Sequence, residues 1–152
     1  LPLFFWLFCV EARVSDELTL WGLFLSAFIS STLFPGGSEA LLAVLVLAKQ
    51  HSSLTLLTVA TMGNVLGALT SYALGRIIAW RYPQRRLENS RHKAALERVR
   101  HWGSPVLLLS WLPLVGDPLC VAAGWLRVPV IASVVFITLG KLARYGAIIA
   151  AL

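Results

Sequence analysis

Two carboxylates each stand four residues after a helix-breaking proline, inside long apolar runs. Glu39 closes the string Pro35-Gly36-Gly37-Ser38-Glu39, and Asp117 closes Pro113-Leu114-Val115-Gly116-Asp117. Two cations, Lys141 and Arg144, lie three residues apart in the last apolar run, and so on one face of a helix. Ionised groups at membrane depth are costly; they are kept where they pair with one another or line a water-filled cavity. The natural partners of Lys141 and Arg144 are therefore Glu39 and Asp117. The chemistry open to such a set is proton exchange at the acids and capture of an anionic group by the cations. The planar guanidinium of Arg144 is suited to gripping a phosphate.

Each acid has two readings. Gly36 and Gly37 allow dihedrals closed to other residues, and Ser38 can cap the helix that follows. Glu39 is then either an acid at a capped helix start near water or a proton-exchanging group in a cavity. Asp117 precedes Pro118, the pattern of an N-cap followed by a first-turn proline. It is either a cap or a second acid of the same site. Lys141 falls about thirteen residues beyond Val128, roughly 20 Å along a helix starting there. That is too deep for easy snorkelling, and the pairing is either structural or functional.

Nothing else in the chain carries reaction chemistry. No nucleophile triad, phosphate loop or metal-ligand spacing is present, and His51, His92 and His101 lie in or beside polar connections. Cys9 and Cys120 are far apart in apolar context, which reads as buried thiols. The expectation is no enzyme, no metal and no cofactor.

The elements that must position these residues follow from composition. The 152 residues are 58% hydrophobic and 13% charged, roughly half the charge of a soluble domain. Mean hydropathy is +0.78. The chain reads as an all-α polytopic membrane protein. Residues 1–17 read as an ill-defined N-terminal extension and 18–152 as one transmembrane domain. Apolar segments cover about 18–34, 40–48, 54–80, 105–126 and 128–152. A spanning helix needs roughly 20 apolar residues, so 54–80 and 128–152 span, while 18–48 and 105–126 are broken at Pro35 and Pro113. Each broken segment is either a re-entrant hairpin or a kinked span.

The net charge of +6 comes from the connection over 76–101, with Arg76, Arg81, Arg85, Arg86, Arg91, Lys93, Arg98 and Arg100 against Glu88 and Glu97. Short loops rich in Lys and Arg stay cytoplasmic, which puts 80–102 on that side. Because the basic residues flank spans, nucleic acid is not the expected partner. Ala95, Val99 and Trp102 recur at helical spacing, with Asn89 or Ser90 as cap. They predict an amphipathic helix over 90–102 that can lie on anionic lipid headgroups.

Gly63, Gly67, Ser71 and Gly75 form a small-residue stripe for close helix packing, with Asn64 beside it. The motif Thr61-Met62-Gly63-Asn64 follows Pro35 by 26 residues, and Thr138-Leu139-Gly140-Lys141 follows Pro113 by 25. Both halves, about 18–80 and 104–152, thus read as break, acid, short helix and long helix. One spanning helix between them inverts the second half, the architecture of many secondary transporters. The fold expected is two inverted repeats, each a re-entrant helical hairpin plus a transmembrane helix, with the cytoplasmic amphipathic helix between them.

Phe34-Pro-Gly-Gly-Ser-Glu39, Ala60-Thr-Met-Gly-Asn-Val-Leu-Gly67 and Gly75-Arg76 resemble the DedA family, also called the VTT or SNARE-associated domain. Leu109-Ser-Trp-Leu-Pro-Leu-Val-Gly-Asp117, Ala123-Gly-Trp-Leu-Arg127 and Leu139-Gly-Lys-Leu-Ala-Arg-Tyr145 are similar to its YqaA-type subgroup. The resemblance covers about 18–150. It implies a bacterial inner-membrane protein with two opposed re-entrant hairpins. It also implies a role in lipid translocation, including undecaprenyl phosphate recycling, and links to the proton motive force, envelope integrity and cell division. Glu39 occupies the position of a functional acid in that family. The chain departs from the better-known members in its second hairpin. They carry Arg-Phe-x-Pro-x-x-Arg, whereas here the stretch is Ser110-Trp-Leu-Pro-Leu-Val-Gly116, and Arg144 and Lys141 are the cations left to stand in.

The function expected is a membrane transporter or lipid translocase, proton-coupled and acting on a phosphate-bearing lipid. Its partners would be the bilayer, anionic headgroups and protons, with a homo-oligomer allowed. The alternative is a non-transporting membrane factor that binds a partner in envelope assembly or cell division. A channel fits less well, because no continuous polar face runs through any span.

Overall fold

The computed structural model describes residues 2–32, 36–81, 97–112 and 115–152. Helix α1 (Pro2–Thr32) leads to the first break and short α2 (Gly37–Ala48), followed by long α3 (Ser53–Arg81). In the second half a 3-10 helix (Ser104–Trp111) leads to the second break, short α4 (Gly116–Trp125) and long α5 (Val130–Ala151). The described residues contain no strand.

Length separates these helices into two kinds. At 1.5 Å per residue, α3 with 29 residues is about 44 Å long and α5 with 22 about 33 Å. Both exceed the roughly 30 Å hydrocarbon core of a bilayer and are apolar enough to cross it. At 12 and 10 residues, α2 and α4 are about 18 and 15 Å long and cannot cross alone. The short helices end alike. Lys49 follows α2 with φ 54°, Arg127 follows α4 with φ 56°, and a long apolar helix comes next in each case.

The structure bears on three sequence expectations. Helix α1 is continuous from Pro2, so the segment expected as an ill-defined extension over 1–17 continues directly into the first apolar run. The amphipathic helix expected over 90–102 is helical over 97–102, and its remainder lies outside the described residues. Within it Val99 is buried in the core formed by Ala68, Leu107, Leu119 and Ile137 rather than facing a lipid surface, while Trp102 is exposed. Of the break residues, Pro35 and Pro113 lie outside the described residues. Gly36 takes φ 111°, a conformation open to glycine, and Gly37 and Gly116 begin α2 and α4.

The small-residue stripe on α3 serves two neighbours. A Cβ on Gly63 would overlap the Phe24 carbonyl of α1, and one on Gly67 would sit 2.6 Å from the Phe28 carbonyl. Gly75 instead meets Val121 of α4, and Gly124 of α4 meets the Tyr72 carbonyl of α3. Ser71, between the two contacts, bonds back to the Gly67 carbonyl at 3.4 Å. A four-residue repeat exceeds one turn by about 40°, so the stripe drifts around the helix from α1 to α4. The second half repeats the first contact. A Cβ on Gly140 of α5 would lie 2.8 Å from the Leu108 carbonyl of the 3-10 helix. In each half, the glycine of the Thr-apolar-Gly-polar motif seats its long helix against the arm that leads into the break.

These contacts predict that Gly67→Ala and Gly124→Ala each destabilise the fold by about 1–3 kcal/mol through overpacking. Gly146→Ala, where a Cβ meets nothing within 4 Å, should be neutral or slightly stabilising. Thermal melting of the purified protein, followed by circular dichroism, compares the three.

Candidate functional site

Asn64 and Lys141, the polar ends of the two motifs, each lie eleven residues from the start of their long helix, about 16 Å along it. Both therefore sit near mid-bilayer depth, and the rest of the site gathers at that level. Helix α5 is its hub, since Lys141, Arg144 and Tyr145 occupy one face within little more than a turn.

Lys141 Nζ lies 3.6 Å from Asp117 Oδ1, and the same oxygen accepts a 3.3 Å bond from Ser31 Oγ at the end of α1. Lys141 is only 2% exposed and Asp117 29%. Arg144 pairs directly with Glu39, at 13% and 32% exposure. Beside this pair, Tyr145 Oη accepts a 2.6 Å bond from Asn64 Nδ2 and shares a 2.9 Å bond with Ser38 Oγ. Each of the two cations thus pairs with one of the two candidate acids, one on each short helix.

Residues that flank the two breaks meet at this cluster. Ser31 flanks the first break and bonds Asp117 after the second. Glu39 after the first break shares an open pocket of about 260 Å³ with Trp111 and Leu112 before the second, lined on its other side by Arg144, Ala147 and Ile148. A larger apolar groove of about 580 Å³ runs between α1 and α3 along Leu20, Trp21, Phe24 and Met62, away from the ion pairs.

Neither acid site is built as a cap. Helix α2 starts at Gly37 behind Gly36 and has no side-chain cap bond, so Ser38 is inside the helix and turns to Tyr145. Helix α4 starts at Gly116 behind Val115, again uncapped, which places Asp117 in the first turn, facing Lys141. In both cases the helix starts one residue before the candidate cap, which leaves its side chain free to meet a buried partner on α5. A carboxylate in a first turn still gains from the helix dipole.

Residues 34–152 match the family model of the VTT domain. The chain belongs to the VTT-domain, or DedA, family. It is 42% identical to the inner membrane protein YqaA of Escherichia coli K12 and to that of Shigella flexneri, over 91% of this chain and 94% of theirs. An uncharacterised protein of Haemophilus influenzae is 42% identical over 84% of this chain and 83% of its own. No solved structure matches the chain. The relatives' location and the two membrane-length apolar helices identify an inner-membrane protein.

Two participants, Tyr145 and Ser31, and a neighbouring buried hydroxyl carry no charge to mark them. Tyr145 has a sequence signal in hindsight: it stands four residues after Lys141, on the same face, and directly follows Arg144. Ser31 belongs to a Ser-Ser-Thr cluster that interrupts an apolar run just before the first break. Ser110 is fully buried, its hydroxyl packed where a Cβ on Gly140 would lie 2.9 Å away, and no sequence pattern marks it.

Burial sets an order on the Asp117–Lys141 pair. Asp117→Asn leaves a nearly inaccessible ammonium without its counter-ion and should cost about 3 kcal/mol or more. Lys141→Met leaves a part-exposed carboxylate still bonded to Ser31 and should cost roughly half as much. Thermal melting distinguishes them, and equal losses would contradict Asp117 as the counter-ion. Tyr145→Phe strands Ser38 and Asn64, both buried, and should cost about 1–3 kcal/mol by the same measurement.

Proposed function

We propose that this protein is a proton-coupled translocase for a phosphate-bearing lipid, supporting the cell envelope, with no covalent chemistry of its own. The observation that carries the reading is the Glu39–Arg144 pair lining the same cavity as Trp111, Leu112, Ala147 and Ile148. An acid–guanidinium pair beside apolar walls is suited to an amphiphile with an anionic head. Protonation of Glu39 removes the competitor for Arg144, whose fork then takes a phosphate in a bidentate grip. Proton binding and headgroup binding thereby favour one another. The cavity is smaller than the roughly 300–1,000 Å³ that enclose a whole drug-sized ligand. It suits a headgroup, with the acyl or prenyl chain left in the bilayer.

Alternating access in this reading comes from two re-entrant hairpins, α1–α2 and the 3-10 helix–α4, arranged as inverted repeats. Supporting this are the short lengths of α2 and α4, the matching glycine contacts at Gly63 and Gly140, and the equal depth of Asn64 and Lys141. The Asp117–Lys141 pair holds the second hairpin to α5, while the more exposed Glu39–Arg144 pair opens to substrate.

Reconstitution into liposomes with a fluorescent lipid phosphate and an imposed pH gradient tests the proposal. Flux should depend on the gradient. Glu39→Gln and Arg144→Gln should each reduce it by about tenfold or more. Gly146→Ala should leave it unchanged. No gradient-dependent flux from folded protein would sink the translocase and support a membrane factor that acts by binding a partner.

A further inference from the structure

The end of α3 holds a second cationic site, apart from the ion-paired cluster. Arg76, Ile77, Trp80 and Arg81 line a pocket of about 330 Å³ on one face of the helix. Arg76 lies twelve residues beyond Asn64, about 18 Å along α3. Its guanidinium is held without being neutralised. Arg76 Nη1 donates to Tyr72 Oη at 2.8 Å, and the buried Tyr72 hydroxyl donates in turn to the Val128 carbonyl at 2.5 Å. Gly124 seats α4 against the backbone of α3 at the same level, a Cβ there meeting the Arg76 nitrogen at 3.1 Å. Among the described residues no carboxylate pairs with Arg76 or Arg81. Arg127, which precedes the carbonyl bound by Tyr72, adds a further cation to this end of the bundle.

Depth identifies the environment. About 20 residues of helix cross the hydrocarbon core, and α3 has 29. Its last turn and a half therefore reaches the headgroup layer. Trp80 is 85% exposed, the placement of an indole in the interfacial belt. Two guanidiniums at phosphate level that pair with no carboxylate among the described residues, one fixed by a tyrosine, with Ile77 and Trp80 beside them, match a phosphodiester above an acyl chain.

We propose that Arg76, Trp80 and Arg81 form a resident binding site for an anionic glycerophospholipid, one that is held at the helix end rather than translocated. Its anchor is the Tyr72–Val128 bridge, which fixes Arg76 while leaving its charge for the lipid.

Native mass spectrometry of the delipidated full chain in detergent, titrated with phosphatidylglycerol or phosphatidylcholine, tests this. The unmodified chain should prefer phosphatidylglycerol by about 10- to 30-fold, from two cations at the surface. The double variant Arg76→Gln/Arg81→Gln should lose that preference, and Arg81→Gln alone, which breaks no bond among the described residues, should lose part of it. Glu39→Gln/Arg144→Gln should keep it, even where flux is abolished. Preference retained in the double variant would overturn the proposal. So would preference lost in Glu39→Gln/Arg144→Gln with the α3 site intact, which would assign the lipid to the cavity. Displacement of phosphatidylglycerol by millimolar inorganic phosphate would likewise overturn it, by showing a site for free anions.

Discussion

An ammonium that is 2% exposed in the middle of a membrane-length helix sets the terms for this fold. Lys141 lies too deep to reach water along its own side chain, and lipid offers it nothing. It needs an acid at the same depth, and a helix that begins there offers one in its first turn, where the dipole also favours it. Helix α4 begins at Gly116, and its first-turn Asp117 meets the cation. The same constraint acts on Arg144, answered by Glu39 in the first turn of α2. The helices that begin after the two breaks thus supply the acids that pair with both cations of α5. Ser31 ties α1 to the same oxygen that Lys141 approaches, so both halves of the chain converge on one turn of α5.

Convergence on that scale needs backbones closer than ordinary side chains permit. The glycines of α3 and α5 supply the approach, since the carbonyls of Phe24, Phe28 and Leu108 occupy space that a Cβ would fill. Between helices in lipid, apolar burial gives little net drive, and close van der Waals contact and interhelical hydrogen bonds take its place. The Asn64–Tyr145–Ser38 chain is of that kind, joining α3, α5 and α2 through a single hydroxyl. The apolar clusters around Leu42 and Leu119 then fill in on either side of a polar seam already fixed by bonding.

Much of this was legible because the rules that govern it are one-dimensional. A proline four residues before an acid in an apolar run, a Lys and an Arg on one helical face, and a four-residue glycine repeat are all spacings. Each predicted which residues would have to meet. Spacing could not say which acid meets which cation, because Lys141 and Arg144 share a face and differ only in the neighbours that the tertiary fold provides. Nor could it say that Ser38 and Asp117 forgo capping, since local preference points to a cap and a buried partner overrides it. The stripe read as one surface because its repeat was counted as a full turn. The drift of about 40° per step divides it between α1 and α4. Tyr145 was missed because its polarity is a single hydroxyl on a large apolar ring, invisible to a search by charge.

The two ion pairs look equivalent in sequence but differ physically. Asp117–Lys141 combines a nearly inaccessible cation with an acid that also holds Ser31, and separating it would leave a buried charge in a region of low dielectric. Such a pair resists exchange and is suited to fixing register. Glu39–Arg144 is more exposed on both sides and borders open volume. Its cation is the more accessible of the two, so water and a ligand can compete for this pair more readily than for its neighbour. Two pairs a turn apart on one helix therefore differ in how firmly each is held. The stretch from Ser110 to Gly116 carries no arginine, so both cations of these pairs come from α5, and its packing against the two short helices decides which acid each one meets.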